Sequence, residues 1–355
     1  MTIKEYICCI QQTDINNDTQ IFLEYKTFLE KYIKDNPTDV EAVCQLAITN
    51  FELRASASEI IQKLEKFLKK YHAVISSADM GRLYSNLAYY YEEEDNMPKC
   101  MECLKKAIVL LPDAPNAYDA LGQKMVKFGN NMEAEALSLF EKASTRSQEI
   151  KYQYNFAVSL FRNGNIERAK AIFENLLAES ENEKHILYAY GVCLYYLGEK
   201  EQVLAIANEL ASEELDNDYI DESMVADLYF LCDEYERHNK IYDSCPFSYY
   251  YTADWLAPYF YSLKKMAKMD ELKNIYEKVM KEKEEDITGE KKAEITEVYS
   301  EQDRAAYIKK LEKERDDIKI SYYKSLNNDE KPDIKIEFNF IDGCYLLDCP
   351  RHQKI

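Results

Sequence analysis

The chain has 355 residues, with 45 Lys and Arg against 65 Asp and Glu, a formal net charge of −20 at pH 7, and only 8 Gly and 8 Pro. So few turn formers exclude an all-β protein, and the recurrence of Leu, Ala, Glu and Lys points to an all-α chain. The negative charge argues against a nucleic-acid backbone or an anionic membrane as the main partner, and no stretch is apolar for long enough to span a bilayer.

The start, "MTIKEYICCIQQTD", lacks the basic residues and cleavage site of a secretory leader, which predicts a cytoplasmic protein. Ten irregularly spaced cysteines fit that setting as reduced thiols. "TQIFLEYKTFLEKYIKDNP" reads as a helix stopped at Asn36-Pro37, so residues 1–39 form an N-terminal helical cap.

From about residue 40 the sequence repeats itself. A large residue followed by a small one recurs as Leu46-Ala47, Leu87-Ala88, Leu121-Gly122, Phe156-Ala157, Tyr190-Gly191 and Val225-Ala226, with a looser copy at Tyr259-Phe260. The second members keep a spacing of 34 or 35 residues after a first interval of 41. Downstream positions agree as well: Leu160, Gly164, Ala169 and Phe173 in one unit match Leu194, Gly198, Val203 and Ala207 in another. Each unit therefore reads as two amphipathic helices joined by a short turn, the small residues letting them approach and the large ones filling the gap.

The period and the alternation resemble the tetratricopeptide repeat from residue 40 to residue 281. The resemblance implies a right-handed superhelical solenoid of about seven helix-turn-helix units. Departures occur at Phe260, which replaces a small residue, at His238, where Ala is usual, at the extra residues near "HAVISSADM", and at an insertion after Gly129. In such arrays the first helix of each unit lines a concave groove. By that resemblance Tyr154, Val158, Phe161, Tyr188, Val192, Tyr195, Asp227, Phe230 and Tyr261 line it, with Tyr89, Arg162 and Tyr196 at or beside it. A stripe of rigid aromatics suits peptide capture, although the same tyrosines would also serve packing between helices. Asn86 and Asn155 fall where related arrays clamp acidic C-terminal tails, but the basic partners of such a clamp are missing around them.

Residues 282–355 follow the array. "KEKEEDITGEKK" reads as a solvated charge run, and residues 293–326 as one or two helices with a stripe through Ile295, Val298, Ile308, Leu311 and Ile318. In "DIKIEFNFIDGCYLLDC" the residues Ile334, Ile336, Phe338 and Phe340 alternate with polar ones, and Asp342-Gly343 is a turn signal. That predicts a short terminal β-hairpin capping the solenoid.

Chemistry is sparse. There is no glycine-rich phosphate loop, no GxSxG and no HExxH, and there are only four His. Cys100 and Cys103 form a CxxC within a helical pattern and read as core. Cys344, Cys349 and His352 stand near enough to share a zinc ion, without an evident fourth ligand, so a hairpin with free thiols and no cofactor is expected. "DNDYIDE" at 216–222 lacks the glycine and distal Glu of a calcium loop. Residues 179–236 hold 16 Asp or Glu against Lys184 and Lys200, which concentrates acidity where groove aromatics are dense. The leading expectation is a non-enzymatic scaffold for a basic protein or peptide segment, an immunity-type inhibitor being one form. The alternative resembles bacterial peptide-pheromone receptors without a DNA-binding domain, since residues 1–39 are too short and acidic for one.

Overall fold

The computed structural model describes residues 1–13, 19–129, 132–180, 183–212, 220–244, 252–296, 299–334, 336 and 338–352. Among them are seventeen α-helices and no strand, with one isolated bridge between Thr296 and Tyr299. No helix among these residues is long and apolar enough to cross a membrane. The chain forms two compact units, Met1–Ile172 with Phe340–Ile355, and Phe173–Asn339.

In the first unit, α1 (Ile3–Gln12) and α2 (Thr19–Asp35) precede three helical hairpins. These are α3 (Val40–Glu52) with α4 (Ala57–Tyr71), α5 (Ser77–Glu93) with α6 (Met97–Leu110), and α7 (Pro115–Phe128) with α8 (Glu133–Arg146). Next comes α9 (Ile150–Arg162), and the unit boundary falls in α10 (Ile166–Glu179). The side chains of Asp39, Ser56, Ser76 and Asn96 accept amide hydrogens in the first turns of α3 to α6 and fix where each begins. From α1 to α9 each helix packs on the next, and α3 also meets α5 as α7 meets α9. The second unit pairs α11 (Lys184–Tyr196) with α12 (Lys200–Ala211), α13 (Glu222–Leu231) with α14 (Tyr235–Ser244), and α15 (Ala253–Lys265) with α16 (Met269–Lys291). There α17 (Glu301–Asn327) lies on α15 and α16.

The repeated small residues sit at the closest approaches. Ala88, Ala157 and Ala226 are fully buried, and a Cβ on Gly122 would stand 2.9 Å from the Phe140 ring of α8. Phe260 departs from this rule because its hairpin is built differently: its ring is buried with Tyr242, Tyr259, Leu263 and Ile318 of the second unit.

The turns keep the same register. Seven residues after the small position the backbone enters the left-handed region at Arg54, Asp95, Gly164, Gly198, Asp233 and Ala267. The next amide then donates back to the first helix: Ala55 to Asn50, Asn96 to Tyr91, Asn165 to Leu160, Glu199 to Leu194, Glu234 to Tyr229 and Lys268 to Leu263. That is a Schellman-type stop repeated six times, which satisfies a carbonyl that would otherwise be orphaned. The corresponding Gly129, next to the insertion, keeps a negative φ of −95° instead.

One C-terminal expectation is refined and another corrected. The charge run "KEKEEDITGEKK" is mostly exposed but helical, continuing α16, because Lys and Glu are good helix formers; Ile287 and Lys283 depart from the solvated reading in buried places, the latter 2.9 Å from Glu314. Val298 of the predicted stripe lies outside the described residues. The terminal β-hairpin does not form: among the described residues of 328–352 there is no strand. The segment is instead an extended tail whose backbone groups are taken up by helix side chains.

Candidate functional site

In the first unit the tail runs across α5, α7 and α9, the first helices of successive hairpins. Two asparagines grip its main chain. Asn155 on α9 accepts the Ile341 amide (2.7 Å) and donates to the Ile341 carbonyl (3.0 Å). Asn86 on α5 does the same to Leu347, at 2.7 and 2.9 Å. A carboxamide presents one donor and one acceptor side by side, so it imitates the edge of a neighbouring strand. The same helices add Gln123 to the Ile341 carbonyl at 3.3 Å and Ser85 to the Tyr345 carbonyl at 3.2 Å.

Side chains fix the register. Phe340 stacks on Phe140 with centroids 4.7 Å apart, and the Arg162 guanidinium lies over the Phe340 ring at 5.6 Å. Tyr345 is buried and donates to Glu92 at 2.7 Å, while Glu92 also receives Lys124. Arg82 pairs with Asp348 at 3.1 Å, Arg351 makes a two-pronged pair with Glu52 at 2.8 and 2.9 Å, and Gln11 donates to the Pro350 carbonyl at 3.1 Å. A Cβ on Gly343 would come within 2.8 Å of the Lys151 ammonium, so the tail passes there at glycine distance.

Burial sets the electrostatics. It raises the Asp348 carboxyl to about 6 despite Arg82, and it raises Asp119 against the lowering pull of Lys151, Asn155 and Gln123. The basic residues judged missing beside the asparagines are present one helical turn earlier: Arg82 four residues before Asn86, and Lys151 four before Asn155.

In the second unit the tail is held by charge and rings. The Lys331 ammonium donates to the last-turn carbonyls of α13, Phe230 at 2.8 Å and Leu231 at 3.3 Å, and pairs with Asp233 at 2.6 Å. It lies over the Phe230 ring at 4.8 Å. A cation at a helix C-terminus meets the negative end of the dipole. Lys264 donates to the Leu326 and Asn328 carbonyls and pairs with Asp329 at 3.0 Å. Tyr261 donates to the Asp329 carbonyl at 3.4 Å, and Phe338 meets Phe173 edge-on. The Lys200 and Lys331 bonds hold the Asp233 carboxyl down at about 2 against the opposing effect of burial.

Of the residues expected to line or flank a groove, Tyr89, Arg162, Phe230 and Tyr261 contact the tail, Tyr89 meeting Tyr345 edge-on at 5.5 Å. Tyr154 and Val158 on α9, and Tyr188 and Val192 on α11, are buried; Phe161 and Tyr195 are half-buried and Tyr196 is exposed. Asp227 on α13 is half-buried, and burial together with the nearby Asp221 carboxylate raises it to about 7. Residues 216–219 of the acidic turn "DNDYIDE" lie outside the described residues. Sequence reasoning places Asn86 and Asn155 at a clamp position but sets the clamp aside, and it does not single out Arg82, Gln123 or Lys151. The signal for this polar row was an i, i+4 spacing of basic residue and asparagine in two separate units.

At the end of the tail, the donor atoms of Cys344, Cys349 and His352 all lie within 4.8 Å of one another. Cys349 Sγ is 3.3 Å from His352 Nδ1, and a hydrogen bond from Cys349 lowers the Cys344 thiol to about 7. Cys100 and Cys103 are buried in α6, where burial raises both thiols to about 11.

A family model described as anaphase-promoting complex, cyclosome, subunit 3 matches residues 129–210. No curated protein sequence matches the chain. Similar solved structures include YrrB, described as a tetratricopeptide-repeat protein with an unusual peptide-binding site (15% identity, 59% of this chain and 97% of that one, TM-score 0.44). Others are a tetratricopeptide repeat protein from Parabacteroides merdae (14% identity, 65% and 90%, TM-score 0.44) and the MamA protein (19% identity, 51% and 95%, TM-score 0.36).

Proposed function

We propose that this chain, a tetratricopeptide-repeat protein, is a non-enzymatic binding module whose first-helix faces take an extended segment of a partner protein. Its own tail is then the resident occupant. The observation that carries this reading is the pair of two-bond asparagine clamps on Ile341 and Leu347. Clamps on main-chain atoms accept any extended segment, while the flanking pockets select side chains. The tail fills those pockets with Phe340 and Tyr345, and its cations Lys331 and Arg351 land on Asp233 and Glu52. A partner segment carrying aromatic and basic residues fits the same contacts, and the acidic stretch 179–236 would steer it. A cytoplasmic inhibitor of a cationic protein is one form of this module. A peptide sensor is the other form, in which a short peptide replaces the tail.

The test is a titration of a labelled peptide of residues 338–352 into the intact chain and into Phe340→Ala/Tyr345→Ala, which loosens the tail and leaves every helix residue in place. The variant should bind the peptide at least about tenfold more tightly than the intact chain, with binding weakened by salt, which screens over about 8 Å at physiological strength. No binding to either chain, with the helical signal intact, would sink the proposal.

A further inference from the structure

We infer that Cys344, Cys349 and His352 form a zinc site that clasps the end of the tail. Three features of the geometry point there. The two sulfurs and the imidazole nitrogen already converge within 4.8 Å, and the Cys349–His352 pair is at 3.3 Å. Tetrahedral Zn²⁺ with Zn–S of about 2.3 Å and Zn–N of about 2.0 Å needs donors roughly 3.5–3.8 Å apart, so closing the site takes shifts of about 1 Å. Two thiolates and an imidazole are donors that suit zinc and disfavour magnesium or calcium, which take oxygen.

The loop that brings them together is held by other contacts. Asn86 fixes Leu347, Arg82 fixes Asp348 and Glu52 fixes Arg351, while the His352 amide donates to the Cys349 carbonyl at 3.1 Å. These anchors lie between and beside the three donors, so the fold pre-arranges the ligands before any metal arrives. Cys349 is buried, Cys344 is half-buried and His352 is exposed, which leaves the fourth coordination position on the solvent side for water.

Binding balances simply. Zn²⁺ displaces one proton from each thiol, both protons pass to solvent, and two thiolates neutralise the ion. The ring closed from Cys344 to His352 would then hold the end of the tail in the shape in which Asn86, Arg82 and Glu52 grip it. This inference does not depend on a partner using the helix faces, because its readout is the metal alone.

The experiment uses the intact chain, reduced and free of chelator, titrated with Co²⁺ and then Zn²⁺. One equivalent of Co²⁺ should give thiolate-to-cobalt charge-transfer absorption and the visible bands of a tetrahedral site, and Zn²⁺ should displace it. Cys344→Ser should abolish the charge-transfer intensity or cut it about twofold. His352→Ala, at an exposed position that does not threaten folding, should weaken the metal at least about tenfold. Cys103→Ser should change nothing. The site is overturned if the intact chain shows no thiolate bands, or if His352→Ala and Cys344→Ser both bind cobalt as the intact chain does.

Discussion

The tail meets the two units by different means. In the first unit it is read through its backbone, by Asn86 and Asn155, with aromatic rings setting register. In the second it is read through ammonium groups placed on carbonyls, Lys331 on α13 and Lys264 on the end of α17. Backbone clamps tolerate many sequences but demand an extended chain. Ammonium contacts demand a particular residue but tolerate motion around it, since a point charge has little directional preference. The first unit therefore adds backbone geometry to its ion pairs with Asp348 and Arg351, whereas the second relies on ammonium groups and rings.

The sharpest way to break this contrast is Asn86→Ala with Asn155→Ala. Four tail hydrogen bonds disappear, leaving the half-buried Leu347 main chain and the Ile341 amide without these partners while Gln123 still reaches the Ile341 carbonyl, at about 1–3 kcal/mol for each residue. Amide exchange at Ile341 and Leu347 should accelerate by one to three orders of magnitude, while exchange at Lys331 changes little. Equal acceleration at both ends would show that the tail is one cooperative element and would erase the distinction.

A second test addresses charge in the second unit. The Asp227 carboxyl is raised from 3.8 to about 7, so between these values the folded chain holds a proton that the unfolded chain has lost. Stability attributable to this group is therefore present in acid and declines as pH rises through about 7. Asp227→Asn should remove that decline and leave the variant more stable than the parent at pH 8, by on the order of 3 kcal/mol. Asp348 in the first unit, raised to about 6, imposes a slope of the same sign, so the variant's curve should flatten only in part. An unchanged denaturation profile across pH 4 to 8 would show that Asp227 is solvated.

The smallest effect sharpens the repeat itself. Ala267 holds a φ of +58° at a turn where two other units place glycine, Gly164 and Gly198. Ala267→Gly should stabilise by about 1 kcal/mol, the cost of a left-handed alanine, seen as a higher denaturation midpoint. A loss of stability would mean that the methyl group packs.

The helical hairpins were legible because close helix approach demands small residues at a fixed period, and the left-handed stop seven residues later falls out of the same register. The tail was misread for an instructive reason. Ile336 and Phe338 are buried, and residues at alternate positions face one way in any extended chain. Alternation thus reports extension and a one-sided contact, and a partner strand is only one way to supply that contact. Here the edge is completed by asparagines that lie 186 and 261 residues away in sequence. No local pattern could announce them, although the basic residue one turn before each asparagine was visible. The tyrosines were legible as a class and not as a surface: Tyr188 is buried and Tyr196 is exposed on the same helix.

The first unit takes its occupant from residues 340–352, while its helices come from residues 1–172. On a ribosome these helices emerge long before the segment that covers them. At about 5–20 residues per second, synthesis of the intervening second unit leaves the asparagine row bare for roughly ten to thirty seconds. During that interval Asn86 and Asn155 face whatever extended chain is nearby. Under the proposed function, a partner made or delivered within it would meet an open face, whereas one that arrives later would compete with a tethered rival.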